Sequence, residues 1–454
     1  MKAIIPDIQA DSGKPYYLQL YQYIKKAILS GDIAPGEKLP SLRLLSKTLE
    51  LSVTTVDQAY SQLLVEGYIY SRPQSGYYAC DILSTPAAGP SGDTALYPAK
   101  QILEQAPENQ YFDLNCFAFS KWKKCMNKVL TEYTPQLFFE SDPQGELALR
   151  TEIAKYLYLS RGVTCHPDQV VIGAGTQQIT NQLANILKKM SINLVAVEDP
   201  GFAPANNIFR DRGFAINPVS VGREGIDIEK LPSNIRSAVY VSPSNQVPTG
   251  AVMPVGRRYE LLEWAVKNDS IIIEDDYDSE LRYFGKPIPA LQGLDAAGRV
   301  VYLGSFSATL FSSIKISYMV LPAGMAEIFH SIRGDYTQTC SKTEQLTLAL
   351  FMEAGHYQTN IKKIRSLYAQ KLQLITRCLN TEKTRITNTA SGLTVIVYAD
   401  SEKSVETLCE EAASAGIKAV PVSGDPEGLL LYYNQIPMEE IPEAVEKLLN
   451  NWYN

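Results

Sequence analysis

Histidine is scarce, with three in 454 residues, and the seven cysteines at 80, 116, 125, 165, 340, 378 and 409 form no CxxC pair. That combination argues against structural zinc, so no metal ligands are expected, and the scattered thiols read as core fillers in a reducing, cytoplasmic setting. No stretch approaches the ~18 consecutive apolar residues of a membrane span. The opening MKAIIPDIQADSGKPYY lacks an apolar h-region and a small-residue cleavage site, so no membrane partner and no export are expected. Basic excess is lacking too: the formal net charge is -7, which confines any nucleic-acid contact to a local patch. What remains is ordinary globular composition, 45% hydrophobic and 20% charged, which excludes collagen, coiled-coil arrays and wholesale disorder. At roughly 100 to 200 residues per domain, the length predicts two to four domains.

Residues 10–80 read as a compact helical module closed by a hairpin. Tyr21, Ile24 and Ile28 form one helical stripe; GDIAPGEKLP breaks it; Ser41 caps a second helix with Leu42, Leu45 and Leu49. Ser52 caps a third, whose Val56, Ala59 and Leu63 face inward while Val53, Thr54, Thr55 and Gln58 are left free, as a recognition helix presents its first turn to a major groove. After Gly67, YIYSRPQSGYYA has two β-prone arms around a polar tip, so the expected fold is α+β, a winged helix-turn-helix. Up to residue 80, eight Lys/Arg oppose seven Asp/Glu, and the competing structural reading is a protein-interaction module.

The run PGEKLPSLRLLSKTLELSVTTVDQAYSQLLVEGYIYSRPQSGYYA resembles the GntR superfamily of bacterial transcription regulators nearly position by position. The resemblance implies double-stranded promoter DNA as a partner. It assigns phosphate and base-edge contacts to Arg43, to Thr54 and Thr55, and to the wing residues Arg72, Gln74, Ser75 and Gly76. Relatives often carry arginine where this chain has Val53, so a base-edge hydrogen bond is lost or replaced by contact with a thymine methyl.

Residues 81–110 are rich in Pro, Ala, Gly and Ser and read as a linker. From 111 to 454, short apolar runs (QVVIGAG, NLVAVEDPG, SAVYVSPSN, SIIIEDDYD, RVVYLGSFS, KISYMVLP) alternate with helical patterns, predicting an α/β domain with a mostly parallel sheet covered on both faces. From about 361 a long helix, SGLTVIVYA, GLLLYYN and a final helix predict a smaller α+β lobe. The Gly-rich turn before TQQITNQL can hold a phosphate at a helix N-terminus, and Glu274, Asp275 and Asp276 gather at a strand end where open α/β sheets bind ligands.

This region resembles fold-type I pyridoxal phosphate enzymes of the aspartate aminotransferase class, through SDPQGELALRTEIAKYLYLSRGV, VAVEDPGF, SPSNQVPTG and EDDYDSE. Joined to a GntR-type head, it is the architecture of the MocR regulators. The resemblance implies pyridoxal 5'-phosphate, held non-covalently or as a preformed imine adduct, and a small-molecule effector, in a head-to-tail homodimer. It places Asp275 on the pyridine nitrogen, Tyr277 on the ring hydroxyl, Phe202 over the ring and Asn245 beside it. Gly175, Thr176, Ser305 and Ser307 fall at phosphate-cup positions, with Lys315 where relatives carry arginine.

Two departures matter more than the matches. Where that family has SFSK, with the lysine forming the Schiff base, this chain reads Ser305, Phe306, Ser307, Ala308. The arginine that grips a substrate carboxylate falls on Leu430. Lys315 and Lys342 stand nearby but have plainer structural roles. Ala308 fits either an introduced replacement or natural loss of imine chemistry, with Lys315 and Leu430 favouring loss. Without the amine, transamination is not expected. The leading reading is therefore a non-enzymatic regulator whose large domain senses a pyridoxal-phosphate-related effector. The alternatives are an aminotransferase with a regulatory head and a regulator whose large domain is a ligand-free dimerisation scaffold.

Overall fold

The computed structural model describes residues 14–82 and 113–453, except 277, 284–287, 390, 423–424 and 426. The expected linker, apart from residues 81 and 82, and the expected site residue Tyr277 therefore lie outside the described residues. The chain divides into two units, 1–106 and 107–454.

In the first unit, α1 (Tyr16–Leu29), α2 (Leu42–Leu49) and α3 (Val53–Val65) precede a hairpin of β1 (Ile69–Arg72) and β2 (Gly76–Ala79). Leu20, Ile24, Leu45, Val56, Ala59, Tyr60 and Leu63 pack into one core, and the Tyr60 hydroxyl donates to Pro40 O at 3.0 Å. Both predicted caps form. Ser41 Oγ accepts from the Leu44 N–H and Ser52 Oγ from the Thr55 N–H, answering donors that a helix start leaves unpaired. Glu50 and Gln74 take positive φ, 54° and 60°, at the turn between α2 and α3 and at the wing tip. One expectation needs correcting: Thr55 is half-buried and its hydroxyl lies 2.8 Å from Ser52 Oγ, so it belongs to the cap and is not a free first-turn side chain.

The second unit is built on a sheet of order β3 (Val170–Gly173), β10 (Ser317–Val320), β9 (Val300–Ser305), β8 (Ile271–Asp275), β7 (Ala238–Val241), β4 (Leu194–Asp199), β5 (Ala215–Gly222), β6 (Gly225–Ile226). Strands β9, β8, β7, β4 and β5 run parallel, while β10 is antiparallel to both its neighbours. Helices α4 (Phe119–Glu132), α5 (Leu147–Arg161), α6 (Gly175–Lys189), α7 (Ala203–Asp211), α8 (Val255–Lys267), α9 (Ala323–Ile332) and α10 (Lys342–Glu353) surround it. Strands β3, β7, β8 and β10 are buried at every residue, which is why they read as unbroken apolar runs.

The long helix α11 (His356–Leu379) starts before the expected boundary and joins two cores. Tyr357 packs with the large sheet's helices, whereas Ile364, Leu372 and Ile375 pack in the small lobe. That lobe is completed by α12 (Val405–Ser414), α13 (Ile441–Tyr453) and a sheet of order β11 (Thr384–Thr387), β12 (Thr394–Ala399), β14 (Leu429–Tyr432), β13 (Ala419–Pro421). No helix among the described residues is long and apolar enough to cross a membrane.

Replacing Ser52 by alanine removes the acceptor that organises the start of α3. We expect it to lower the stability of the first unit by about 1 kcal/mol, read as a lower urea midpoint for that unit's helical signal.

Candidate functional site

A cleft of about 640 Å³ opens at the carboxyl ends of the parallel strands, between the large sheet and the outer face of the small-lobe sheet. Gly175 and Thr176 enter it at the start of α6, Phe202 just before α7, and Asn245 from the loop after β7. Asp275 is the last residue of β8. Ser305 ends β9, Ser307 and Ala308 follow, and Lys315 precedes β10; all line the cleft, as does Leu430 on β14. Residues scattered over some 250 positions thus share one wall, because β-strand ends and helix starts converge there. Lys342 does not line it: its ammonium bonds the carbonyls of Glu140 and Gln136 and pairs with Glu146.

At the floor, the Tyr240 hydroxyl donates to Asp275 Oδ2 at 2.5 Å. Burial pushes the Asp275 carboxyl up to about 6, opposed by that hydrogen bond and reinforced by the charge of Asp276. Glu198, on β4, is more extreme. Burial raises it to about 8 even though the Ser242 N–H and Gln246 Nε2 each reach Oε2 at 3.3 Å, and its Oε1 is without a partner among the described residues. Beneath the cleft, Arg161 closes a fork on Asp276, Nε to Oδ2 at 2.7 Å and Nη2 to Oδ1 at 3.0 Å. It also donates to Ser244 Oγ at 2.8 Å, and the Tyr302 hydroxyl joins the same carboxylate. This pair is almost wholly removed from solvent, and its planar two-pronged geometry is what allows a buried ion pair to persist.

The opposite end is built for an anion. Gly175 takes φ +84°, and α6 begins with no side-chain cap, so its first N–H groups are free to meet acceptors. The two serines are not equivalent. Ser305 Oγ accepts from Ser317 Oγ and from the Ser307 N–H, which leaves its own proton to donate, whereas Ser307 Oγ already donates to Ile314 O at 2.8 Å. Asn245 Oδ1 accepts from Ser391 Oγ at 3.0 Å and ties the loop after β7 to the small lobe. Leu430 sits with Ile396 and Val422 in a small apolar cluster, so that part of the wall carries methyl groups.

Sequence reasoning missed Tyr240, Arg161 and Glu280. Each acts through a partner 35, 115 or 124 residues away, a distance no local pattern encodes.

On the first unit, Arg43, Val53 and Thr54 are exposed, and the Arg72 guanidinium lies 4.7 Å from the Tyr78 ring centroid and 5.4 Å from that of Tyr70. Its Nη2 donates to the Tyr70 hydroxyl, while Ser75 Oγ is 2.6 Å from the Tyr78 hydroxyl and Gly76 takes φ +109°. Aromatic stacking therefore holds the wing arginine in place before any partner arrives.

The family described as bacterial regulatory proteins, gntR family, matches residues 16–78, and that of aminotransferase class I and II matches residues 107–444. The chain is 39% identical, over 99% of its own length and 99% of the relative's, to the uncharacterized HTH-type transcriptional regulator YdeL of Bacillus subtilis. It is 29% identical, over 97% and 94% of the two lengths, to the probable rhizopine catabolism regulatory protein MocR of Rhizobium meliloti. Among solved structures, the kynurenine aminotransferase of Pyrococcus horikoshii superposes with a TM-score of 0.65 at 22% identity, covering 79% of this chain and 98% of that one. That likeness carries the fold, which is the fold of pyridoxal-phosphate-dependent aminotransferases. A DNA-reading head joined to such a fold defines a transcription regulator. The chain belongs to the MocR-type HTH transcriptional regulators.

Glu198 and Asp275 bind their protons more tightly in the folded chain than in the unfolded one, where carboxyls titrate near 4. The folded state therefore holds more protons between about pH 4 and pH 8, and stability falls as pH rises through that window. The ligand-free protein should show a Tm that declines from pH 5 to 8.5, and Glu198→Gln should remove the part of the decline above about pH 7, beyond which Glu274 and Glu280, raised to about 7 by burial, no longer add to it.

Proposed function

We propose that this regulator senses a pyridoxal-phosphate-type ligand in the cleft, without turnover, and passes its occupancy to DNA through the two heads of a head-to-tail homodimer. The observation that carries the reading is the pairing of an uncapped helix start and a donating Ser305 at one end of the cleft with a buried carboxyl, Asp275, at the other. The residues fit the group. A buried carboxylate is costly unless it meets a cation or donor, and a pyridine N–H is both. The α6 N–H groups, Thr176, Ser305 and Lys315 would receive the phosphate, and Phe202 would cover the ring face. When bound, such a cofactor supplies a protonated pyridine ring that withdraws electrons.

Ala308 offers neither a nucleophilic amine nor a proton-shuttling base, so the cleft binds and orients but does not transfer amino groups. Leu430 removes the charge that would select an α-carboxylate. Phe138 and Phe139, 85% and 72% exposed, are surface that a second copy of the chain would cover. Phosphate and base contacts would come from Arg43, Val53, Thr54 and the wing from Arg72 to Gly76, and an effector that prefers one dimer geometry shifts operator affinity by that preference.

Deleting residues 1–80 should abolish the gel shift of the chain's own upstream DNA at fixed salt while leaving the melting of the large unit intact. Ala308→Lys should make pyridoxal 5'-phosphate attachment trappable by borohydride, as a mass increase that the original chain does not show. A borohydride-stable adduct on the original chain, or amino transfer by it, would overturn the non-covalent reading.

A further inference from the structure

Around and beyond Ala308, large apolar side chains line the cleft. Ala308 packs against the small-lobe core that contains Leu393, and Leu393 reaches the cleft as well. The turn closed by the Leu310 N–H on Phe306 O at 3.0 Å then brings Leu310 and Phe311 onto the lining. Phe311 is one corner of an aromatic triangle, its ring centroid 5.0 Å from that of Phe117 and 5.4 Å from that of Phe119, and all three rings line the cleft. Phe119, the first residue of α4, is 48% exposed, so part of its ring is open to a guest. The facing wall follows from strand alternation. Leu429 and Leu431 of β14 belong to the small-lobe core, so Leu430 and Tyr432 point the opposite way, onto the cleft, with Thr394 of β12 paired across from Tyr432.

The positive charges are committed elsewhere. Among the described residues, five carboxyl side chains and two lysines line the cleft. Lys371 and Arg161, which are not on the lining, are held by Asp113 and Asp276. Lys315 meets the phosphate in the reading given above, and Lys418 lies over the Tyr432 ring at 4.5 Å, next to the edge strand β13. The cleft therefore has no surplus of positive charge, and a carboxylate pressed against Leu430 would lose its water and gain no partner. An apolar chain in the same place buries its own surface together with that of Leu430 and the phenylalanine rings. The volume of about 640 Å³ leaves room for such a chain beyond a pyridine ring and its phosphate.

Resting on the reading of the cleft given above, we infer that the effector is a conjugate of the cofactor with an apolar primary amine that carries no carboxylate, an arylethylamine in size, and that Leu430 and Phe311 select it over conjugates of amino acids. The conjugate forms in solution, the amine nitrogen joining the aldehyde carbon of the cofactor as water leaves, so no lysine at position 308 is needed to make it.

The test is a calorimetric titration of the full-length protein with reduced phosphopyridoxyl conjugates of four amines: phenethylamine, phenylalanine, γ-aminobutyrate and methylamine. The first two differ only by a carboxylate, and the first and last only by a benzyl group. The phenethylamine conjugate is expected to bind about tenfold or more tighter than the phenylalanine conjugate, as a desolvated charge without a partner implies. It should also bind about tenfold tighter than the methylamine conjugate, through burial of its ring. Leu430→Arg should reverse the order of the first two, and Phe311→Ala should shrink the advantage over methylamine. The ligand series needs no altered protein, so it decides the matter even where a variant fails to fold. A phenylalanine conjugate that binds as tightly as the phenethylamine one would overturn the exclusion of the carboxylate. Tightest binding of the γ-aminobutyrate conjugate would overturn it in favour of capture by Lys418, and a methylamine conjugate as tight as the phenethylamine one would overturn the apolar compartment. In each of these cases the cofactor half of the cleft stands. If none of the four binds to a protein that melts normally, the cleft reading itself falls.

Discussion

The cleft end of the large sheet is tied together by one buried contact, the guanidinium of Arg161 closed on Asp276. It joins the last turn of α5 to the end of β8, with Tyr302 of β9 and Ser244 of the loop after β7 on the same cluster. Four elements that converge on the cleft thus meet at a single charge pair. Removing one member of such a pair typically costs about 3 to 5 kcal/mol, because the other charge is left buried and unanswered. Asp275, the residue before it in the chain, lines the cleft beside this lock.

The architecture was legible because its signals were local. Fully buried strands wrote themselves as runs such as SIIIED, and Ser41 and Ser52 stood where helix starts need acceptors. Short or mixed strands were not legible. β5 alternates and contains Pro218, β11 is four mixed residues, and β13 is three, so none carries a periodicity that separates it from a loop. The start of α11 was misjudged because its first turn packs on the large sheet's helices and only later turns enter the small lobe. Within the cleft, residue types could be aligned but their hydrogen-bond economy could not. Ser305 and Ser307 look identical in sequence, yet one has a proton to donate and the other has committed it to Ile314. Thr55 likewise looked free and is occupied by its own cap.

The pattern of retention and loss along the cleft is uneven in a way that chemistry explains. The groups that would grip a ring and a phosphate are present. In the proposed reading, the positions that would react with a carbonyl and hold a carboxylate carry Ala308 and Leu430, both apolar. A binding site needs complementarity in the ground state only, whereas catalysis needs groups aimed at a transition state, so a cleft that only binds, as proposed, can lack the second set and keep the first.

The acids on the cleft floor have a thermodynamic consequence for whatever enters. Asp275 and Glu280, both on the cleft lining, are poised to carry protons near neutrality because burial disfavours their charged forms. A cationic guest stabilises the ionised forms and must expel protons into the solvent as it binds. The apparent heat of association therefore contains the ionisation heat of the buffer, and the slope of heat against buffer ionisation enthalpy counts the protons released. Occupancy of the cleft by such a guest is then a proton-coupled exchange, whose apparent affinity depends on pH.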